Sequence, residues 1–188
     1  LIIEAKDKGR IDKNIIFNCQ AKIGDFIIKK PVRKLHDELI IKLKKAGFYH
    51  FGTGVETFSD KLLKVQSINK KAISEADQHM VINGLLKHGF SPSVNIILFI
   101  PESTIEDMFN TMKTATEYML NGVQIAMTPL LRPHPGSGIH ELIVKGLTPI
   151  KAKYAEWKNP ENGEIFKYPL YCIPLDKKLA QFIDEFDI

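Results

Sequence analysis

Polar side chains with acid, base or hydrogen-bonding chemistry follow three successive apolar runs of this chain. These groups are Thr53, Glu56 and Thr57, then Glu102, Ser103 and Thr104, then Arg132 and His134. In parallel α/β folds the carboxyl ends of the strands meet at one edge, where helix N-termini also offer free N–H groups to anions. We therefore expect a binding site where the three groups converge.

The elements that must position these residues are repeated βα units. Apolar runs of strand length alternate with helix-period segments that end in glycine, a pattern typical of a parallel sheet. The predicted strands lie near 14–19, 49–55, 94–100 and 123–128, and the predicted helices near 31–46, 59–65, 74–88 and 104–120. Ser74 and Thr104 have the residue type and spacing of helix N-caps, and Gly47 and Gly89 those of helix stops. The segments between the strands are long enough for parallel pairing.

The last part of the chain does not repeat the βα unit. After Gly138 the sequence predicts a helix over 150–157, a turn over 159–163, an extended segment over 165–173 and a helix over 175–186. We therefore predict two parts, with the βα units in 1–141 and an accessory C-terminal segment in 142–188.

Composition and length limit the classes of protein that this chain can represent. Its 188 residues can bury one core but are too few for a full eight-unit barrel, which needs about 250 residues. The net charge of +4 is modest and gives little indication of nucleic-acid binding. Cys19 and Cys172 are far apart in sequence, so a reducing cytoplasm is the expected location. The histidines lack zinc-site spacing, and no apolar run is long enough for a membrane span. The first residue, Leu1, is not a methionine, which suggests a piece of a longer chain.

Five segments taken together resemble the second half of a radical S-adenosylmethionine (radical SAM) barrel, and they cover about half of the chain. In order they read Leu43-Lys-Lys-Ala-Gly-Phe48, Phe51-Gly-Thr-Gly-Val-Glu-Thr-Phe-Ser-Asp60, Leu85-Leu-Lys-His-Gly89, Asn95-Ile-Ile-Leu-Phe-Ile-Pro-Glu-Ser-Thr104 and Pro129-Leu-Leu-Arg-Pro-His-Pro-Gly-Ser137. The resemblance implies an α/β fold, a partial (β/α) TIM-type barrel with parallel strands and a short accessory segment. The family's CxxxCxxC motif, which binds its iron–sulfur cluster, is absent from the sequence.

The function that the resemblance implies is that of a fragment of a radical SAM iron–sulfur oxidoreductase. The intact protein would bind S-adenosylmethionine and a four-iron four-sulfur cluster, whereas this chain alone would bind neither and would be inactive. Its partners would then be an unidentified substrate and the missing N-terminal half of the same protein, with CxxxCxxC upstream of Leu1. The open edge of the partial sheet also predicts self-association.

The resemblance further assigns roles to individual residues. It implies cofactor contacts for Thr53, Glu56, Thr57, Lys70 and Ser103, substrate contacts for Arg132 and His134, and no metal ligand. The planar guanidinium of Arg132 suits an anionic substrate because it can bind a carboxylate or phosphate through two hydrogen bonds.

Simpler roles remain open for two of these residues. Glu56 could serve only as a cap for the helix that follows Ser59, and Lys70 could be a solvated surface lysine.

The chain also departs from the family pattern, which leaves other functions open. Phe99 and Glu102 stand where the family usually has glycines, so we expect weak or undetectable S-adenosylmethionine binding by this chain alone. The main alternative is a non-catalytic α/β binding or interaction module on a degenerate barrel scaffold. An aldolase-like barrel that uses a lysine is disfavoured because no lysine lies within a predicted strand.

Overall fold

Four parallel strands form the central sheet of the computed structural model, which describes residues 1–185. The strands are β1 (Phe17–Gln20), β4 (Phe48–Glu56), β5 (Ser91–Phe99) and β6 (Gln124–Leu130). They lie side by side in chain order, and each pair is parallel. This arrangement confirms the predicted fold class, an α/β partial barrel.

Helices connect the strands, and two of them begin at the predicted N-caps Ser74 and Thr104. The bounds are α1 (Ile2–Asp7), α2 (Asp37–Ala46), α3 (Asp60–Leu63), α4 (Glu75–Lys87) and α5 (Ile105–Leu120), with a 3₁₀ turn at Ile23–Phe26. Ser74 forms a capping box with Asp77 at the start of α4, and Thr104 forms one with Asp107 at the start of α5. In each box side chains satisfy backbone N–H groups that have no partner inside the helix.

The main core lies between the sheet and its helices. Alternate residues of the strands, such as Phe51, Val55, Val94 and Ile96, are buried on this side and belong to one apolar cluster with residues of α2 and α4. Since side chains alternate along a strand, the residues between them face the opposite, concave side of the sheet.

The helix predicted over 31–46 is shorter than expected. Lys34–Leu35 forms a short strand, β3, that pairs antiparallel with β2 (Ile27–Ile28), and α2 starts only after His36. Leu35 packs against the main core, where Gly84 of α4 makes room for it because a Cβ there would collide with the Leu35 side chain. A contact remote in sequence therefore outweighs the local helix signal.

The accessory segment contains α6 (Gly138–Val144), a hairpin of β7 (Ala152–Lys158) and β8 (Ile165–Cys172), and α7 (Lys177–Glu185). The predicted helix over 150–157 is wrong, because this stretch pairs antiparallel with β8 across the predicted turn. The extended segment over 165–173 and the last helix are confirmed, although its final predicted residue, Phe186, lies outside the described residues.

The accessory segment packs on the carboxyl end of the sheet through two apolar clusters. Residues of α6 and Cys172 contact Ile97 of β5, and Leu179 with Ile183 of α7 contacts Phe99. This end of the sheet is therefore partly covered. The division of the chain at residue 141 stays a prediction.

Among residues 1–185, none of the helices has the length and apolar character needed to cross a membrane. Within residues 1–185, β1 and β6 are the two outer strands of the central sheet. Self-association through an open edge remains a prediction.

Asp77 gives the first testable prediction, which concerns stability and pH. Its side chain is 4% exposed and accepts hydrogen bonds from Arg33 (2.5 Å) and from the Ser74 backbone (2.8 Å). Burial alone would raise the pKa of Asp77, but the hydrogen bonds from Arg33 and Ser74 and the Arg33 charge outweigh it and hold the pKa below the usual 3.8. Because the folded-state pKa is lowered, this stabilisation is present above about pH 3.8 and is lost as the pH falls through the folded-state pKa.

We expect Asp77→Asn to lower the free energy of unfolding at pH 7 by about 1–3 kcal/mol, the range for hydrogen bonds to a charged group. Below pH 3.8 the difference from the parent protein should shrink. Urea unfolding followed by circular dichroism at several pH values measures both effects. Asp7→Asn, at an exposed position, is the control. A loss at pH 7 that matches the control would contradict the prediction.

Candidate functional site

A cavity of about 810 Å³ opens at the carboxyl end of β4, β5 and β6. Its volume is within the range of small-molecule sites. Of the residues that the sequence predicts for a site, Glu56, Lys70, Arg132 and His134 line it. The structure thus brings two of the five predicted cofactor contacts and both predicted substrate contacts to one cleft.

Glu56 lies at the end of β4 in an unusual backbone conformation. Its φ of +65° is in the left-handed region, which non-glycine residues seldom adopt, and the register between β4 and β5 shifts between Gly54 and Glu56. Strand irregularities of this kind redirect side chains and often lie beside functional sites. Here the Glu56 carboxylate accepts a hydrogen bond from Lys70 (2.8 Å). The helix after Ser59 is capped by Ser59 itself, so Glu56 is not its cap.

Lys70 is a half-buried partner of Glu56 rather than a solvated surface lysine. The Lys70 side chain is 32% exposed and that of Glu56 is 22% exposed. The Lys70 ammonium also donates to the Gly54 carbonyl oxygen. A Cβ on Gly54 would lie 2.5 Å from Glu56 Oε1 and 3.1 Å from Lys70 Nζ, so glycine leaves the room that this ion pair occupies.

Three predicted cofactor contacts have buried side chains and do not line the cavity. Thr53 is 2% exposed, and its side chain lies on the same side of β4 as that of Phe51, which faces the helices. The Thr57 hydroxyl pairs with Thr111 of α5 (3.1 Å), and Ser103 donates to the Ile100 carbonyl oxygen (2.6 Å). The Thr57 and Ser103 hydroxyls therefore bond within the protein, whereas the buried Thr53 hydroxyl has no hydrogen-bond partner among residues 1–185. Their contact with a cofactor stays a prediction that this placement does not favour.

Arg132 and His134 lie beyond the end of β6 and are both exposed. Within residues 1–185 the Arg132 guanidinium takes part in no ion pair, whereas the charge of Lys70 is balanced by Glu56. The cleft therefore carries one uncompensated positive charge, located at its β6 side. That charge can bind an anion.

The cavity includes residues that the sequence analysis missed, among them Ser67, Asn95 and Thr128. Asn95 on β5 and Thr128 on β6 lie on the concave side of the sheet. The alternation of side chains along each strand could have indicated that they face the cavity. Ser67 could not have been found in this way. Its hydroxyl donates to Glu102, an interaction between residues that are 35 positions apart.

Phe99, expected to obstruct a cofactor, does not line this cavity. Its ring is 2% exposed and belongs to the apolar cluster that includes Leu179 and Ile183 of α7. The carboxylate of Glu102 accepts a hydrogen bond from the Ser67 hydroxyl. Neither side chain lines the cavity, and the weakened cofactor binding expected from these two substitutions stays a prediction.

The residues present do not fit an iron–sulfur cluster. No group of three or more histidine, cysteine, aspartate or glutamate side chains in residues 1–185 could hold a metal ion. Burial raises the pKa of Cys19, and burial with the nearby charge of Glu102 raises that of Cys172 to about 12. Both therefore remain neutral thiols at pH 7, whereas cluster ligands are thiolates.

The central sheet and its helices define a partial α/β barrel with a cleft at the strand ends, and solved structures share this fold. No family model matches the chain, and no curated protein matches it in sequence. Two structures of the radical S-adenosylmethionine methyltransferase TsrM from Kitasatospora setae are similar to it. The one with cobalamin and a 4Fe–4S cluster bound has a TM-score of 0.64, 14% identity and covers 91% of this chain. The one with tryptophan substrate and the SAM analogue aza-SAM bound has a TM-score of 0.67, 12% identity and covers 98%.

The chain spans 36–37% of the length of these two TsrM chains. A third match is the radical SAM enzyme coproporphyrinogen III oxidase (HemN) from Escherichia coli, at 18% identity. The matched region covers 64% of this chain and 25% of the HemN chain, and its TM-score of 0.47 is too low to support a conclusion. At these identities the likeness shows the fold alone. Both structures with a TM-score above 0.5 are of a radical SAM enzyme.

Proposed function

We propose that this chain forms part of the cofactor and substrate cleft of a radical SAM iron–sulfur oxidoreductase. The observation that carries the proposal is the cleft at the strand ends, where Glu56, Lys70, Arg132 and His134 come together in a fold shared with radical SAM enzymes. In the complete protein, S-adenosylmethionine bound with a reduced cluster would supply the radical chemistry. The cluster ligands would come from a CxxxCxxC segment outside this chain, and the chain alone is inactive.

The charges of the Glu56–Lys70 pair suit the amino-acid part of S-adenosylmethionine. Glu56 uses Oε1 to accept from Lys70, and Oε2 makes no hydrogen bond to the described residues. Oε2 can accept a hydrogen bond from the cofactor's ammonium group or a ribose hydroxyl. The Lys70 ammonium has three donors, of which Gly54 and Glu56 use two, so one remains for the cofactor's carboxylate. Arg132 and His134 would contact the substrate.

The second candidate is a non-catalytic binding module on the same scaffold. The observation that favours it is the lack of a metal-binding group in residues 1–185. The coding sequence upstream of Leu1 distinguishes the two candidates, because CxxxCxxC within roughly two βα units supports the enzyme. An upstream sequence without that motif supports the binding module.

Glu56→Ala tests the cofactor site in the protein that includes the upstream segment. We expect the substitution to weaken S-adenosylmethionine binding about tenfold, equivalent to about 1.4 kcal/mol, because it removes the acceptor and leaves Lys70 unpaired. Isothermal titration calorimetry measures the affinity. Glu38→Ala, at an exposed position of α2, is the matched control. A change below about 0.5 kcal/mol, the range of ordinary surface substitutions, would show that Glu56 has no role in cofactor binding.

A further inference from the structure

The concave face of the central sheet is open and polar, which is unusual for a parallel sheet. Parallel sheets in α/β proteins normally have both faces covered, and their strands are apolar throughout. Here the side toward the helices is apolar, and the concave side is apolar only near the carboxyl ends, where Ile97, Phe99 and Leu130 pack against the accessory segment. The concave side carries amide, hydroxyl and imidazole groups, namely Asn18, Gln20, His50, Ser91, Ser93, Asn95, Gln124 and Thr128.

Hydrogen bonds between these side chains show that they share one face. His50 Nε2 on β4 lies 3.2 Å from Ser93 Oγ on β5. Gln124 Nε2 on β6 donates a hydrogen bond to Ser91 Oγ on β5 at 3.5 Å. Asn95 is paired in register with Gly54 on one side and Ala126 on the other. Its amide therefore stands between two small residues, is exposed, and lines the cavity.

The concave face continues into the cavity, whose only uncompensated charge within residues 1–185 is Arg132. A ligand that fits both regions has one anionic group for Arg132 and His134. It also has an uncharged body with hydrogen-bond donors and acceptors for the amides and hydroxyls. A dianionic phosphate fits less well, because Glu56 already balances the second cation, Lys70.

We infer that the ligand of this cleft is a peptide-like carboxylic acid, with its carboxylate at Arg132 and its amide groups along the concave face. Carboxamide side chains such as Asn95 pair well with peptide groups because each offers both a donor and an acceptor. The inference rests on the proposed function, in which this cleft also receives the substrate, and it deepens that function by naming the substrate class.

Two probes that differ only in charge test this inference on the chain itself. They are N-acetyl-triglycine and its C-terminal amide, titrated into ¹⁵N-labelled protein and followed by two-dimensional NMR. We expect the acid to bind more tightly than the amide, with shift changes at Asn95, Thr128 and Arg132. Arg132→Gln should weaken binding of the acid about fivefold, as for one exposed ion pair, and leave binding of the amide unchanged.

Asn95→Leu, which keeps the approximate size of the side chain, should weaken binding of both probes. Arg10→Gln, at an exposed arginine near the N-terminus, is the matched charge control and should change neither. The NMR spectrum of each variant shows whether it is folded. Equal affinity for acid and amide, shift changes away from the cleft, or no binding up to the solubility of the probes would each overturn the inference. Since no cofactor is present, failure of the Glu56 test would leave this result unaffected.

Discussion

Gly47→Ala is expected to destabilise the protein by about 2–5 kcal/mol. Gly47 ends α2 with a φ of +97°, a conformation that costs an alanine about 1–2 kcal/mol. An added Cβ would also lie 2.7 Å from the Ile15 carbonyl oxygen and would collide with the Lys6 ammonium that donates to this oxygen. Overpacking against backbone typically adds about 1–3 kcal/mol.

Gly122→Ala separates these two costs, because Gly122 follows α5 with a φ of +88° and a Cβ there would meet no atom within 4 Å. We expect this control to lose only the conformational part, about 1–2 kcal/mol. Urea unfolding of both variants, followed by circular dichroism, gives the difference. Equal losses would mean that the region of Ile15 and Lys6 moves away without cost, and the packing cost predicted for Gly47→Ala would then be wrong.

The second large effect is the expected failure of the chain to assemble an iron–sulfur cluster by itself. After anaerobic reconstitution with iron and sulfide, we expect no cluster absorbance and no four-iron signal on reduction. A four-iron cluster of this family uses three cysteine thiolates, whereas the chain has only Cys19 and Cys172. The two thiols belong to different apolar clusters, and burial raises the pKa of both.

A variant that combines Cys19→Ala with Cys172→Ala is the control for adventitious iron. Its iron content should equal that of the parent chain, measured by a colorimetric iron assay and by absorption spectroscopy. About four irons per parent chain that disappear in the variant would show that the chain does bind a cluster. The proposal that the cluster ligands lie outside this chain would then fail.

Part of the site could be predicted because it depends on where the strands end. Glu56 and Arg132 follow apolar runs, and the ends of neighbouring parallel strands necessarily meet at one edge. The partner of Glu56 was not predictable as such. The Lys70 contact depends on the positive φ of Glu56, the shift in register beside Gly54 and the path of the loop after α3. None of these features has a signal in the sequence, in which only the family resemblance distinguishes Lys70 from the other lysines.

The buried polar residues show the same limit. Thr57 and Ser103 come directly after strands, as site residues do, yet one pairs with Thr111 and the other with a backbone carbonyl. A sequence gives the distance of a residue from a strand end but not the direction of its side chain at that point. Direction depends on the packing of α5 and of the accessory segment.

The sequence by itself determined the approximate positions of the strands, the capped starts of α4 and α5 and the glycine that ends α2, because these depend on residues within one turn or one strand. Only the tertiary structure decided the conformations of 31–36 and 150–157. Their local preference for helix is worth a few tenths of a kcal/mol per residue, and burial of one side chain such as Leu35 exceeds that. Pairing with strands elsewhere in the chain therefore outweighed the local signal.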